Sequence, residues 1–367
     1  MHKLNQRTQT LVEPVAPSSK TQNGRVGPLN STRRPRIAFI TTPQFRIDHP
    51  DDLEDFVCEH IYFLCRHFEV LSTGRTYDLI SSIVNRPFSS LNHGKIEADM
   101  NIPIRADRDL ARWRDIVKMG LVRQLPSIGG MIEITNELVE GRLDAVIHLS
   151  DWKDATGKPD SMVLRRESNV HGVPIASDIF TGRALISSWK SLIARKPDKA
   201  VFQERKAPRE SPLRGLDETK CDRVLALIAH DGMKLEMCCF VVRYVQQIFN
   251  NYDYVLATGT TGNWLKRFVL AAGRGQHDAD KIRCCLSGPH GGDVQIAAAV
   301  VKNYCRKVIF LQDPFVSHAH ETDIRLFEQG VLLFERAALK GIGQVELATN
   351  VETAKAILGV DSTAAAL

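Results

Sequence analysis

Several familiar signatures are missing from this sequence of 367 residues. It has no run of eighteen or more apolar residues, so we expect no membrane-spanning helix. It lacks the GKS or GKT of a P-loop, a G-x-G-x-x-G fingerprint and a G-x-S-x-G elbow. These absences argue against P-loop, dinucleotide-binding and serine-hydrolase chemistry. No residue spacing demands a metal, and we expect no cofactor.

C-x-x-C pairs are also missing, although the chain has eight cysteines. Most of these cysteines lie within apolar runs such as MCCF and RCCL, which is typical of buried free thiols. The spacing of a zinc site is not found. Because free thiols persist in a reducing compartment, we expect a cytoplasmic protein.

Acidic residues are scarce in the first 34 residues, which hold six lysines and arginines and only Glu13 as an acid. This segment accounts for the whole net charge of +5, since the rest of the chain has equal numbers of basic and acidic residues. A nearly neutral folded part argues against a nucleic-acid partner, which would require a basic face. The composition predicts a disordered basic tail at 1–34, with a transit peptide as the alternative.

Five short segments occur twice along the chain in the same order, which predicts a tandem duplication. The segment between the two copies, at 196–220, is charged and rich in proline, so we expect an exposed linker there. The paired segments are IAFI (37–40) with LALI (225–228), VLSTG (70–74) with VLATG (255–259), the Gly-Gly pairs at 129 and 291, LDAVIHLSD (143–151) with RKVIFLQD (306–313), and VPIASDIFT (173–181) with VELATNVET (345–353).

Short apolar runs alternate with longer amphipathic segments within each repeat. Continuous apolar runs such as RVLALIA (223–229) and KVIFLQD (307–313) indicate strands that are buried on both faces. Alternating strands and helices predict an α/β fold in which helices cover both faces of a parallel sheet. Ligands of such sheets bind beyond the carboxyl ends of the strands, so we expect functional residues there.

Four polar clusters follow four predicted strands of the second repeat: AHDGMK (229–234), ATGTTGN (257–263), SGPHGGD (287–293) and DPFVSHAHETD (313–323). Hydroxyl groups, glycines and a lysine at strand-to-helix turns are suited to hold a monophosphate. A turn without any ligand would have a similar composition. The candidate phosphate-binding residues are Lys234, Thr258, Gly259, Thr260, Thr261, Ser287 and Gly288.

The same clusters contain carboxylates and imidazoles. Any one of these groups could be a cap or a packing residue, but several of them beside a phosphate site suggest general acid–base catalysis. The candidate catalytic residues are Asp293, His320, Asp323, Asp313, His230 and Asp231.

The four clusters resemble those of the methylglyoxal synthase family. AHDxxK, ATGTTGN, SGPxGGDxQ and DPxxxxxHxxD occur here in the order and spacing of that family. The resemblance covers 221–358 almost entirely, whereas the first repeat is similar only in its scaffold. It implies two tandem methylglyoxal-synthase-like domains, each a three-layer α/β/α sandwich. A degenerate domain at 35–195 would precede a catalytic one at 221–367.

The resemblance also implies an activity. Dihydroxyacetone phosphate would lose a carbon-bound proton to Asp293 and then expel inorganic phosphate, which gives methylglyoxal in a glycolytic bypass. His320 would hydrogen-bond the carbonyl and enediol oxygens, and the remaining acids and His230 would support the site. The family implies a homo-oligomer and phosphate as both product and regulator.

The matching positions of the first repeat have changed. Met131 stands at the position of the base, Lys158 at that of His320 and Ser161 at that of Asp323, so we predict no synthase activity in this repeat. A regulatory anion site could survive at Arg46, Thr73, Arg75 and Thr76, since arginine is a good phosphate partner. The alternative is a scaffold that only fills an interface.

Two other functions compete with the synthase. A non-catalytic regulatory protein that binds a phosphorylated metabolite would have the same fold, because fold alone does not give function. A lyase acting on another triose or sugar phosphate would use the same residues.

Overall fold

The computed structural model describes residues 34–125, 129–151, 159–195, 202, 210–313, 315, 321–338 and 345–360. The predicted tail at 1–34 lies outside these residues except for Arg34. The strands are β1 Arg36–Thr41, β2 Glu69–Thr73, β3 Leu121–Leu125, β4 Ala145–Leu149, β5 Ile175–Ala176, β6 Val224–Ala229, β7 Tyr254–Ala257, β8 Ile282–Cys284, β9 Lys307–Leu311 and β10 Glu346–Ala348.

The helices of the first repeat are α1 Pro43–Asp48, α2 Pro50–His67, α3 Gly74–Val84, α4 His93–Met100, α5 Asp107–Gly120, α6 Gly130–Val139, α7 Pro159–His171 and α8 Ile179–Arg195. Those of the second repeat are α9 Lys234–Arg243, α10 Val245–Asn251, α11 Gly259–Ala271, α12 Gln276–Asp280, α13 Gly292–Val301, α14 Glu321–Ala338 and α15 Val351–Leu358.

Two five-stranded sheets form the framework, and all their strand pairs are parallel. The first has the order β3-β2-β1-β4-β5, and the second has the corresponding order β8-β7-β6-β9-β10. The central pairs are in similar register, with Ile37 opposite Ala145 in one sheet and Leu225 opposite Lys307 in the other. The predicted α/β class with parallel sheets and flanking helices is confirmed.

Alternate residues of each central strand pack on opposite faces of the sheet, as the strand period of two requires. In β1, Ile37 and Phe39 pack with α2, α5 and α8, whereas Ala38 and Ile40 pack with α6 and α7. Because both faces are covered, a continuous apolar strand is stable here without polar alternation.

The second sheet is covered in the same way. Leu225 and Leu227 pack with α9, α10 and α11, and Ala226 and Ile228 pack with α13 and α14. The cluster on this second face continues into the first repeat through Ile132, Val139 and Val163 of α6 and α7. The four helices α6, α7, α13 and α14 therefore share one apolar layer between the repeats.

Corresponding residues of α6 and α13 meet reciprocally in this layer. Gly129 precedes α6 and lies against Val301, since a Cβ at Gly129 would be 3.0 Å from the Val301 Cβ. Gly291 precedes α13 and lies against Val139, with a corresponding distance of 2.6 Å to Cγ1. Both pairs are related by the same shift of 162 residues. Such reciprocity is the property of a two-fold interface, so the repeats pack as an internal dimer.

Polar contacts follow the same reciprocal pattern. Lys302 pairs with Glu133 at 3.6 Å, and the counterpart Gln295 donates from Nε2 to Oε1 of Glu140 at 3.3 Å. Glu140 also accepts a hydrogen bond from Ser211 at 2.7 Å. These bonds give partners to polar groups that lie between two apolar cores, where an unsatisfied group would be costly.

One residue of the predicted linker is buried, contrary to the expectation of an exposed segment, whereas residues 217–220 are exposed. Leu213 is buried in the core of the second repeat. Arg283 of that repeat donates hydrogen bonds to the carbonyl oxygens of Pro212 and Arg214. A single buried leucine anchors this polar segment because the facing Arg283 donates hydrogen bonds to the backbone on either side of it. The earlier part of the linker lies mostly outside the described residues.

Six of the eight cysteines are buried and all eight are free, as expected from their apolar flanks. The two exceptions are Cys239, which is exposed on α9, and Cys284 of β8, which is half-buried. Burial raises the pKa of the Cys58 thiol to about 11 and that of Cys305 to about 12. Among the helices that the structure describes, none combines the length and apolar character needed to cross a membrane.

The reciprocal glycine contact predicts a stability effect. Gly291→Ala places a methyl group against Val139 and should lower the free energy of unfolding by about 1–3 kcal/mol more than Gly273→Ala does. Gly273 is the matched control, because it also has a positive φ but no heavy atom lies within 4 Å of its would-be Cβ. Urea unfolding of both variants measures the difference. Equal losses would contradict the close contact between the repeats.

Candidate active site

A cavity of about 320 Å³ opens at the carboxyl ends of β6, β7 and β8 in the second repeat. Parallel strands bring the residues that follow them to this one edge, which is where the sequence predicted the site. Its volume is at the small end of the roughly 300–1,000 Å³ range of ligand pockets. We call it the second-repeat cavity.

The predicted phosphate-binding residues divide into two groups. Lys234, Thr258, Thr260, Ser287 and Gly288 line the cavity together. Lys234 is paired with the exposed carboxylate of Asp231, which also lines the cavity. A cation, three hydroxyl groups and the backbone at the start of α11 therefore converge on one small volume.

Thr261 and Gly259 belong to the wall behind the cavity. Thr261 is fully buried, and its hydroxyl oxygen accepts a hydrogen bond from Thr258 at 3.2 Å. A Cβ at Gly259 would lie 3.0 Å from the carbonyl oxygen of Cys285. Gly259 thus allows α11 to start close beside the loop after β8, while Thr261 orients Thr258.

Asp293 reaches the cavity from the first turn of α13. The turn before this helix needs two glycines: Gly291 has a φ of 95°, and a Cβ at Gly292 would lie 2.0 Å from the carbonyl oxygen of Leu286. Asp293 is only 2% exposed and yet lines the cavity. The Gly-Gly pair thus delivers a shielded carboxylate to the same volume as the lysine and the hydroxyl groups.

His230 lies at the end of β6 and also lines the cavity. Its Nδ1 accepts a hydrogen bond from the backbone N–H of Asp313 at 2.8 Å. The neutral imidazole therefore carries its proton on Nε2. The Asp313 carboxylate accepts from the backbone N–H of Phe315 at 3.0 Å and is not among the residues that line the cavity. Asp313 acts on the site through the orientation of His230.

Two predicted residues fall wholly or partly outside the described part of the chain. His320 lies outside the described residues, and of Asp323 the structure describes the backbone in the first turn of α14. Among the described residues, no three His, Cys, Asp or Glu side chains are grouped as metal ligands.

Two further residues of the site were not predicted from the sequence. His290 lines the cavity, and its Nδ1 lies 2.8 Å from the Ser287 hydroxyl oxygen. Gln295 accepts from the backbone N–H of Leu286 at 2.7 Å and donates to Glu140 of the first repeat. Gln295 therefore braces the loop that carries Ser287 against the other repeat. The Q of SGPxGGDxQ was the signal for it, whereas Glu140 is too distant in sequence to be inferred.

The first repeat has a counterpart cavity of about 270 Å³. Met131 lines it where Asp293 lines the other, and Arg46, Thr73 and Arg75 line it as predicted. Thr76, by contrast, is fully buried and bonds to the backbone N–H of Thr41, so it is a structural residue like Thr261. Lys158 lies outside the described residues. We call this volume the first-repeat cavity.

Comparisons with known proteins show which family the chain is related to. No protein-family model matches the chain. Methylglyoxal synthase from Thermus thermophilus is 37% identical over 136 residues, which cover 37% of this chain and 92% of that protein. The chain belongs to the methylglyoxal synthase family. Methylglyoxal synthase from Geobacillus thermodenitrificans is 37% identical over 134 residues, which cover 36% of this chain and 79% of that protein.

Among solved structures, methylglyoxal synthase from Elizabethkingia anophelis has 25% identity and a TM-score of 0.30, covering 37% of this chain and 76% of that chain. The sequence matches to the methylglyoxal synthases are as long as one repeat. This chain therefore carries roughly one further repeat beyond the length that these methylglyoxal synthases share with it.

We expect substitutions of Thr260 and Thr261 to differ in their effect on the free energy of unfolding. Thr261→Val removes a buried hydroxyl and should cost about 1 kcal/mol, because Thr258 loses its partner. Thr260→Val changes an exposed residue and should stay within about 0.5 kcal/mol of wild type. Thermal unfolding of both isosteric variants provides the measurement. A larger loss for Thr260→Val would show that the two roles are assigned the wrong way round.

Proposed function

We propose that the second repeat is a methylglyoxal synthase that converts dihydroxyacetone phosphate to methylglyoxal and inorganic phosphate. One observation carries the proposal: the buried carboxylate of Asp293 lines the same small cavity as Lys234 and the hydroxyl groups of Thr258, Thr260 and Ser287. Membership of the methylglyoxal synthase family supports it.

The first chemical step is the removal of a proton from the carbon that bears the hydroxyl group. Asp293 would accept this proton, and the electron pair of the C–H bond would move onto the carbonyl to form an enediolate. Deprotonation beside a carbonyl requires a base held against the carbon, which a residue fixed on a helix turn provides. It also requires hydrogen-bond donors at the developing oxyanion. His230 is one such donor through Nε2–H, and the predicted role of His320 is the second.

The second step breaks the bond between carbon and the bridging phosphate oxygen. The oxyanion takes up a proton, and the hydroxyl group on the carbon that was deprotonated gives one up. That oxygen then forms a C=O bond, the C=C bond shifts to the carbon that bears the phosphate, and inorganic phosphate leaves with the bonding pair. Lys234 and the three hydroxyl groups would stabilise the charge on the departing phosphate. The enol that remains tautomerises to methylglyoxal. No oxidant or reductant is consumed.

The small cavity favours a triose phosphate over a larger sugar phosphate. Its volume of about 320 Å³ includes the phosphate site, which leaves room for a short carbon chain. The first repeat, with Met131 at the position of the base, would not catalyse the reaction, since a thioether cannot accept a proton from carbon.

Asp293→Asn tests the proposal. It keeps the size of the side chain but removes the base, so kcat should fall by about 10²- to 10⁴-fold. Methylglyoxal formation from dihydroxyacetone phosphate is the measurement. Calorimetry with inorganic phosphate should show that binding to the second-repeat cavity is retained, because the phosphate contacts are unchanged.

Asp253→Asn is the matched control, because this aspartate lies on the surface of the same repeat and pairs with Arg223. It should leave turnover at the wild-type level. The proposal would be wrong if wild-type protein bound phosphate but produced no methylglyoxal, which is the behaviour of a purely regulatory protein. It would also be wrong if Asp293→Asn and Asp253→Asn were equally active.

A further inference from the structure

We propose that the first-repeat cavity is a second binding site, which holds a small hydroxylated phosphate ester without converting it and contacts both repeats through Gln329. The proposal does not require the second repeat to be catalytic. It concerns a different cavity, at the carboxyl ends of β1 and β2, with a different set of charges.

The charges of the two cavities differ in sign. Arg46 and Arg75 line the first-repeat cavity against one acid, Asp160. The second-repeat cavity has one lysine against the two acids Asp231 and Asp293. The first-repeat cavity is therefore the better environment for a doubly charged anion, even though it lacks a counterpart of Asp293. Arginine is also the residue best suited to bind phosphate oxygens in a bidentate fashion.

The guanidinium of Arg46 is already held in place. Its Nη1 donates to the carbonyl oxygen of Thr41 at 2.5 Å and to the Thr41 hydroxyl at 3.0 Å. Thr73 lies beside it at the start of α3, where helix N–H groups remain available for an acceptor. An anion would thus meet donors that lose little freedom on binding, which favours affinity.

The rest of the cavity wall is suited to a carbon body. Ile40, Pro43, Met131 and Ile132 line it. Met131 replaces the carboxylate of Asp293 with an apolar thioether, so a bound carbon skeleton would meet no base at that position. Retention without turnover follows directly from this replacement.

Gln329 reaches this cavity from the second repeat. It lies on α14, and the neighbouring Gly330 allows the close approach, since a Cβ there would be 3.3 Å from the Ile132 Cδ1. The Gln329 Oε1 is buried, and no donor to it exists within the part of the chain that the structure describes. A buried acceptor of this kind calls for a partner. A hydroxyl group of the ligand would supply one, which identifies a hydroxylated phosphate ester as the ligand class.

The contact through Gln329 connects this ligand to the other cavity. The adjacent Glu328 accepts a hydrogen bond from Gln312 at 3.1 Å, and Gln312 immediately precedes Asp313. The backbone N–H of Asp313 in turn donates to His230 of the second-repeat cavity. A ligand that fixes α14 would therefore act on the strand end that orients His230.

Calorimetry on the full-length chain tests the site, with inorganic phosphate and sn-glycerol 3-phosphate as probes. We expect two binding sites per chain for glycerol phosphate. Arg75→Met should weaken one site by about 10- to 100-fold and leave the other unchanged, because a charged hydrogen-bond donor is lost. Lys234→Met should weaken the other site. Arg108→Met is the control, since this exposed arginine of the first repeat lies outside the cavity and should change neither.

Gln329→Leu tests the bridge between the repeats. It should weaken glycerol phosphate at the Arg75-dependent site several-fold while leaving inorganic phosphate unchanged there, since phosphate does not need the amide oxygen. Met131→Asp is a second variant, which should abolish binding at that site by placing a negative charge beside the anion.

A single glycerol phosphate per chain, insensitive to both Arg75→Met and Met131→Asp, would overturn the second site. An unchanged affinity of Gln329→Leu for glycerol phosphate would overturn the bridge. Either result is independent of turnover, so it can be told apart from a failure of the proposed synthase.

Discussion

The packing of α6 against α13 is the contact on which the rest of the structure depends. Each helix is preceded by a glycine that lies against the last valine of the other helix. Any side chain at these glycines would push the repeats apart, and the apolar layer of four helices would open. Because α6 and α13 also carry Met131 and Asp293 in their first turns, the same contact positions the residues that distinguish the two cavities.

This arrangement explains why the Gly-Gly pair is present in both repeats, although only one of them has an aspartate after it. If the Gly-Gly pair served only to position a catalytic residue, it would not be needed before Met131. As part of a reciprocal interface, it is needed on both sides. Gln295 adds a second link, since it joins Glu140 of the first repeat to the backbone next to Ser287. The first repeat thus supports the candidate active site even where it contributes no reactive group.

Much of the fold could be predicted from the sequence, because strands buried on both faces appear in it as continuous apolar runs. The carboxyl ends of parallel strands also lie at the same edge of the sheet. For the same reason Lys234, Thr258, Ser287 and Asp293 were expected together and line one cavity. The buried position of Thr261 could not be predicted, because a TGTT turn shows three hydroxyl groups without showing which one faces inward.

Contacts between the repeats were not predictable from local pattern. Gln329 lies within an amphipathic helix and resembles any surface glutamine in the sequence. Its place in the wall of the first-repeat cavity arises from a helix crossing that joins distant parts of the chain. Similarly, the sequence around Leu213 is that of a polar linker, and only the structure shows that Leu213 is buried in the core of the second repeat.

In the proposed function, the second-repeat cavity combines a base with phosphate-binding residues and eliminates inorganic phosphate from its substrate. The most direct test of this function is the ratio of products formed when purified wild-type chain is incubated with dihydroxyacetone phosphate. If the second repeat is a synthase, methylglyoxal and inorganic phosphate appear at equal rates, well above those of an enzyme-free sample. Phosphate release without methylglyoxal, or no release of either above the enzyme-free sample, would contradict it.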